Sequence, residues 1–227
     1  MNEEADDLTR PRGQHRVFLS YAAGVGKTYA MLTEARQRLG RGEDVVIGYL
    51  EPHIRPRTKA LAKGLEIVPP RLIGYHGSEF TELDTRAVIA RRPQWVLVDE
   101  LAHTCVPGAS HAKRWEAVEE ILRSGVGVLS TLNVQHIQGI NDYVFQYTGV
   151  RVAETVPDEV LGAAEVIVVD MDPDDLIKRV RRGAVLPQDE VGQALTHFFR
   201  KPALTALRAQ AVAVGRRSSP RSSDDPE

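Results

Sequence analysis

Six short apolar runs recur along the chain, and helical patterns separate them. The runs are Arg16–Ser20, Val45–Leu50, Arg71–Tyr75, Trp95–Val98, Val126–Thr131 and Val166–Val169. They are rich in Val, Ile and Leu and mostly continuous rather than alternating. Strands read this way when helices cover both faces of a parallel sheet. Helical stretches fall at roughly 27–40, 56–64, 81–91, 111–124, 135–147 and 172–182, with two more expected near 187–199 and 202–214. Repeated strand–helix–strand units predict an α/β fold with a mainly parallel central sheet, flanking helices and right-handed crossovers. In such a sheet ligands bind beyond the C-terminal strand ends, so chemistry is expected just after each run.

The first run leads into Ala23-Gly24-Val25-Gly26-Lys27-Thr28, and a helix follows directly. This is the second half of a phosphate-binding loop in its required strand–loop–helix context, and it predicts a P-loop NTPase-like three-layer fold. Gly24 and Gly26 permit backbone geometry closed to residues with a Cβ, so loop N–H groups can converge on phosphate oxygens. The helix N-terminus adds partial positive charge. Lys27 is expected to reach the outer phosphates and Thr28 to bind Mg²⁺ through its hydroxyl. The full pattern wants Gly where Tyr21 stands, so Tyr21 must take a different local backbone or pack outward.

The fourth run closes on Asp99-Glu100. An acidic strand end is the usual companion of a phosphate loop: Asp99 is expected at the Mg²⁺, and Glu100 is a candidate for orienting or deprotonating an attacking water. The other strand ends should converge on the same edge. They supply Glu51, His53, Arg55 and Arg57 after the second run, and His103, His111 and Arg114 after the fourth. Thr131, Asn133, Gln135 and His136 follow the fifth. Thr131, Asn133 and Gln135 are candidates to sense a γ-phosphate, and the arginines to neutralise phosphate charge. His103, His111 and His136 suit a hydrogen-bonded lining that couples nucleotide state to loop position. A zinc site built on these histidines or a purely structural role is the alternative. Cys105 lies in the same loop, with nothing to imply nucleophilic use.

Composition narrows the classes. Lys plus Arg is 29 against 31 Asp plus Glu, for a formal net charge of -2, which argues against a general nucleic-acid binder. Cys105 is alone and cannot form an internal disulfide, which fits a reducing compartment. The first residues lack a signal peptide's apolar core, and no run approaches the roughly 18 apolar residues of a membrane span. The expectation is a soluble, cytoplasmic chain that does not itself enter a membrane. Residues 1–13 read as a loose tail, 14–214 as one nucleotide-binding domain, and 215–227 as a second tail or linker. The basic run Lys178, Arg179, Arg181 and Arg182 suits a helix C-terminus, with contact to an acidic partner or a membrane surface as the alternative.

Taken in order, AGVGKTYAML, EPHIRPRT, LVDELAHTCVPGASHAKRW, STLNVQH, ETVPD, AEVIVVDMDPDDL and HFFRKPALTALR resemble the N-terminal domain of the KdpD family. These are bacterial osmosensitive potassium sensor histidine kinases. The similarity runs from about residue 13 to about 214, and the block from Leu97 to Trp115 is its most specific part. The resemblance implies a cytoplasmic domain that binds ATP with Mg²⁺ and modulates the kinase/phosphatase balance acting on a response regulator. It also implies partners: a universal-stress-protein-like domain, membrane helices and a kinase core, or a separate signalling protein. By position, Gly24, Gly26, Lys27 and Thr28 match the family's nucleotide loop, and Asp99 and Glu100 its acidic strand end. Tyr21, Ile54 and Cys105 depart from the family pattern. An active ATPase or small phosphotransferase, and an interaction scaffold without nucleotide, stay open beside the regulatory reading.

Overall fold

The structure, a computed structural model, describes residues 11–51 and 56–218. In chain order the elements are β1 (His15–Ser20), α1 (Lys27–Gly40), β2 (Val45–Tyr49), α2 (Pro56–Ala62), β3 (Glu66–Ile67), β4 (Arg71–Tyr75), β5 (Ser78–Glu82), α3 (Thr85–Arg91) and β6 (Trp95–Val98). Then come α4 (Arg114–Arg123), β7 (Gly127–Asn133), α5 (Asn141–Thr148), α6 (Asp158–Gly162), β8 (Glu165–Val168), α7 (Pro173–Arg181), α8 (Val191–Thr196) and α9 (Lys201–Ser218). Six strands form one sheet in the order β3-β2-β6-β7-β1-β8, and every pair in it is parallel. The α/β three-layer expectation holds.

Successive strand residues face opposite layers, and both layers are packed. Val17 and Leu19 join Val96, Val98, Val118, Ile121 and Leu207 on one face. Phe18, Leu97 and Leu129 meet Met31, Leu32 and Ala35 of α1 on the other. Burying each Leu or Met completely contributes about 1.5–3 kcal/mol, which explains why the strands read as unbroken apolar runs. The long helix α9 covers the first face, lying against β8, β1 and the 3₁₀ turn Val134–His136.

One run departs from its predicted role. Arg71–Tyr75 is not in the parallel sheet; it pairs antiparallel with β5 as a separate hairpin. His76 and Gly77 connect the two strands with φ of 48° and 79°, the two-residue turn whose twist suits a hairpin. The expected helix at 81–91 therefore starts at Thr85, capped by Asp84, which accepts from Ala87 N at 2.9 Å. The parallel-sheet edge is taken instead by β3, whose two exposed residues carry no apolar pattern. The helix expected at 135–147 begins at Asn141, after two 3₁₀ turns.

Candidate functional site

Strand register assembles the site. Ser20 pairs with Asn133 across β1 and β7, and Val98 with Ser130 across β6 and β7. Because β7 lies between β1 and β6, Asn133 ends beside the turn into α1 and Thr131 beside Asp99. Ser20 Oγ donates to Ala22 O at 2.9 Å and lies 3.3 Å from Asn133 Oδ1. Lys27 Nζ donates to Asn133 Oδ1 at 2.5 Å and reaches Ala22 O at 3.5 Å. Thr28 Oγ1 donates to the Asp99 carboxylate at 3.2–3.3 Å, and Thr131 Oγ1 donates to the same carboxylate. Asp99 itself is buried.

The turn from Ser20 to Lys27 depends on its glycines. Gly24 has φ +85° and Gly26 φ +120°, both in the region that favours glycine. Gly24 is needed twice: a Cβ there would lie 2.5 Å from Val185 Cγ2, in the segment after α7. At Gly26 a Cβ would meet nothing, so backbone conformation alone demands glycine there. Exposed Ala23 and buried Val25 complete the turn, and α1 begins at Lys27 with its positive end toward it.

Of the two expectations for Tyr21, outward packing fails: it is buried in the first core layer, and its φ is not in the positive region that favours glycine. Its hydroxyl donates to Met171 O at 2.9 Å, tying the start of the turn to the chain after β8. Tyr21 thus takes up core volume.

Electrostatics set this end of the sheet apart. Burial draws the Lys27 ammonium down to about 8, against the pull of Asp99 and Glu100. Glu100 is held at φ 56°, rare for a residue with a side chain, while its N–H donates to Thr131 Oγ1 at 3.0 Å. The Glu100 side chain is 48% exposed, yet partial desolvation, then Glu51 and Asp99, raise its carboxyl to about 7; Arg114 opposes them. The like charge of Glu51 and Asp99 nearby disfavours ionisation of Glu100. A carboxyl poised near neutrality at the mouth of a phosphate-type turn can take or give a proton.

Beneath lies a buried ion-pair network. Arg114 is fully buried, with Nη2 3.2 Å from Glu82 Oε2 and Nη1 3.2 Å from Asp99 O. Its guanidinium stacks 3.7 Å over the Tyr49 ring and lies 3.9 Å from Glu100 Oε2. Glu82 also meets His103 Nε2 at 3.0 Å and accepts from Val106 N at 2.9 Å. Sequence reading missed Glu82 because its partners lie 21 to 32 residues away.

The predicted lining histidines scatter. His111 leaves the site: its Nε2 meets Glu120 Oε2 at 2.8 Å on α4. The loop doubles back through a Thr104–Lys113 bridge, which returns Arg114 to His103 O at 3.0 Å and swings His111 away. His136 is fixed to Glu154 O at 2.8 Å through Nδ1, and burial lowers its pKa even so. Gln135 lies in the same 3₁₀ turn. Arg57 is exposed on α2. His53, Ile54 and Arg55 lie outside the described residues.

The donor set fits an anion held with a hard divalent cation. Thr28 Oγ1 and the Asp99 carboxylate are oxygen ligands of the kind Mg²⁺ takes. Lys27, the turn N–H groups and the start of α1 present positive charge to a phosphate. Among the described residues no helix is long and apolar enough to cross a membrane.

Comparison with known proteins follows the same division of the chain. The KdpD family model, described as the osmosensitive K⁺ channel His kinase sensor domain, matches residues 11–216. The sensor protein KdpD of Mycobacterium tuberculosis is 49% identical over 208 residues, 91% of this chain and 24% of that protein. The Escherichia coli sensor protein KdpD is 46% identical over 202 residues, 88% of this chain and 23% of that protein. A putative sensor protein KdpD from Synechocystis is 49% identical over 202 residues, 88% of this chain and 55% of that protein. The chain thus spans about a quarter of the first two relatives and about half of the third.

Proposed function

The chain belongs to the KdpD family of osmosensitive potassium sensor-kinase domains, and from that premise we propose that it is an ATP-binding regulatory module of a two-component sensor kinase. One observation carries the reading: Lys27, Thr28, Asp99, Thr131 and Asn133 are joined by hydrogen bonds at the C-terminal ends of β1, β6 and β7. Lys27 and the glycine turn hold the phosphates, and Thr28 and Asp99 hold Mg²⁺. When bound, MgATP supplies a γ-phosphate whose charge the domain senses. Lys27, which donates to Asn133 at the end of β7, would be the group that meets the phosphate oxygens, so its bond to Asn133 links phosphate occupancy to that strand end. The 3₁₀ turn that follows lies against α9, which offers a mechanical path toward further domains of a larger kinase. Modulation of kinase and phosphatase output, on the cytoplasmic side of the membrane, is the action proposed for that path.

An active ATPase is the second reading, favoured by the raised pKa and left-handed backbone of Glu100. Calorimetric titration of MgATP into wild type and Lys27→Ala, with phosphate release followed on the same samples, separates the readings. The regulatory reading expects binding that is lost in the variant, a fold unchanged by circular dichroism, and negligible release. Brisk release abolished by Glu100→Gln supports the enzyme. No binding by wild type overturns both and leaves an interaction scaffold.

A further inference from the structure

We propose that Glu82, His103 and Cys105 form a binding site for a thiophilic divalent metal ion of the zinc class, distinct from the Mg²⁺ expected at Thr28 and Asp99. The donor atoms of these three residues all lie within 4.8 Å of one another. A tetrahedral zinc holds sulfur at about 2.3 Å and nitrogen or oxygen at about 2.0 Å, so its ligands stand roughly 3–4 Å apart. Only small side-chain adjustments separate the present arrangement from that geometry. Among the described residues no other trio of His, Cys, Asp or Glu converges in this way.

The chemistry of the donor set selects the ion. One imidazole nitrogen, one sulfur and one carboxylate oxygen suit zinc or cobalt and are wrong for the all-oxygen shells of Mg²⁺ or Ca²⁺. The backbone is already organised around the trio. Cys105 N donates to Ala112 O at 2.9 Å and Val106 N to Glu82 Oε1 at 2.9 Å, so the loop carrying His103 and Cys105 is pinned at both. Glu82 can turn Oε1 to the ion while Oε2 keeps its 3.2 Å contact with Arg114. That outer partner orients the carboxylate, as second-shell groups do in built metal sites. His103 is 30% exposed, which leaves solvent access and room for a water as fourth ligand.

Charge permits it. The ionised Glu82 offsets the Arg114 guanidinium beside it, so the trio carries no excess positive charge that would repel a cation. When the ion binds, Cys105 releases its thiol proton to water and Sγ becomes the ligand; no oxidation state changes. Through Arg114 the occupied site touches Asp99 O and approaches Glu100, so ion binding would bear on the neighbouring site. The metal proposal does not depend on ATP binding there.

The test is titration of the untagged, metal-free protein with Co²⁺. The expected result is one equivalent bound, with tetrahedral ligand-field bands and a thiolate-to-cobalt charge-transfer band, all displaced by Zn²⁺. Cys105→Ser should abolish the charge-transfer band. Loss of even an outer-shell partner commonly costs 10–100-fold, so removing the sulfur ligand should weaken binding by more than about tenfold. His103→Gln, with the thiol intact, gives an independent arm in which affinity falls and the remaining spectrum leaves the tetrahedral pattern. Absence of the charge-transfer band in wild type, or its persistence in Cys105→Ser, overturns the proposal. So does Co²⁺ affinity unchanged in His103→Gln.

Discussion

Replacing Arg114 by Met tests whether the buried network under the candidate site holds the domain together. Met roughly keeps the volume but removes the charge that faces Glu82, which is only 4% exposed. Removing one partner of a buried pair costs about 3–5 kcal/mol, because the other charge is left uncompensated. Burial pushes the Glu82 carboxyl up, but His103, the Val106 N–H and Arg114 outweigh burial and hold it at about 2, against an ordinary 4.5, so Glu82 stays charged at neutral pH when Arg114 is removed. His103 and the Val106 N–H remain to compensate part of that charge, so the expectation for Arg114→Met is the lower end of the range, about 3 kcal/mol. In a domain of this size that lowers Tm by roughly 6–12 °C.

Urea denaturation at pH 7 measures the loss, and two controls locate its cause. Arg114→Met combined with Glu82→Gln should recover most of it, since no buried charge is then stranded. Glu82 has a depressed folded pKa, so its contribution is present above 4.5 and fades as pH falls toward 2. The gap between wild type and Arg114→Met should narrow over that window. A loss under about 1 kcal/mol, a double variant no better than the single, or a gap that ignores pH would refute the reasoning.

Three further expectations follow from other parts of the molecule. His15 is 4% exposed, and burial lowers it to about 4 from 6.5, so the unfolded chain takes up the proton first on acidification. Its contribution is full above 6.5 and lost by about 4; wild type should shed about 3 kcal/mol more than His15→Gln across that range in urea titrations. Gly215→Ala would set a Cβ 2.2 Å from Val168 Cγ2, so α9 must shift off β8. Calorimetric unfolding should register a cost of about 1–3 kcal/mol, partly restored by Val168→Ala. Tyr21→Phe should cost about 1 kcal/mol for the lost bond to Met171 O while leaving MgATP affinity within twofold, measured by titration.

The sheet was legible where burial is two-sided. Val17, Leu19, Val96 and Val98 pack one layer, and Phe18 and Leu97 the other, so composition alone exposed the strands. The same signal misled at Arg71–Tyr75, because an apolar run does not say which edge it pairs with. Four of its five residues are exposed, and Leu72 is 57% exposed. The informative feature was the His76–Gly77 pair between two strand-length segments. The true edge strand β3 buries neither residue and so left no pattern to read.

The candidate site divides along the same physical line. Lys27, Thr28, Asp99, Thr131 and Asn133 were legible because strand register alone brings sheet ends together, and register needs only the strands to be right. The network beneath was not, because it depends on how two loops fold back. Arg114 read as a candidate to neutralise phosphate charge, and only the return of the chain at the Thr104–Lys113 bridge buries it against Glu82. Neither residue carries a local sign of burial. A charged side chain gains a buried role from a distant partner, so sequence reading systematically places such residues at the surface. The misplacement has a consequence for the site. Glu100 owes part of its position and ionisation to Arg114, and Arg114 is anchored by Glu82 in the hairpin's last residue. A hairpin that looks peripheral in sequence is thus one contact removed from Asp99 and Glu100. Changes there should reach the candidate site through charge rather than through packing.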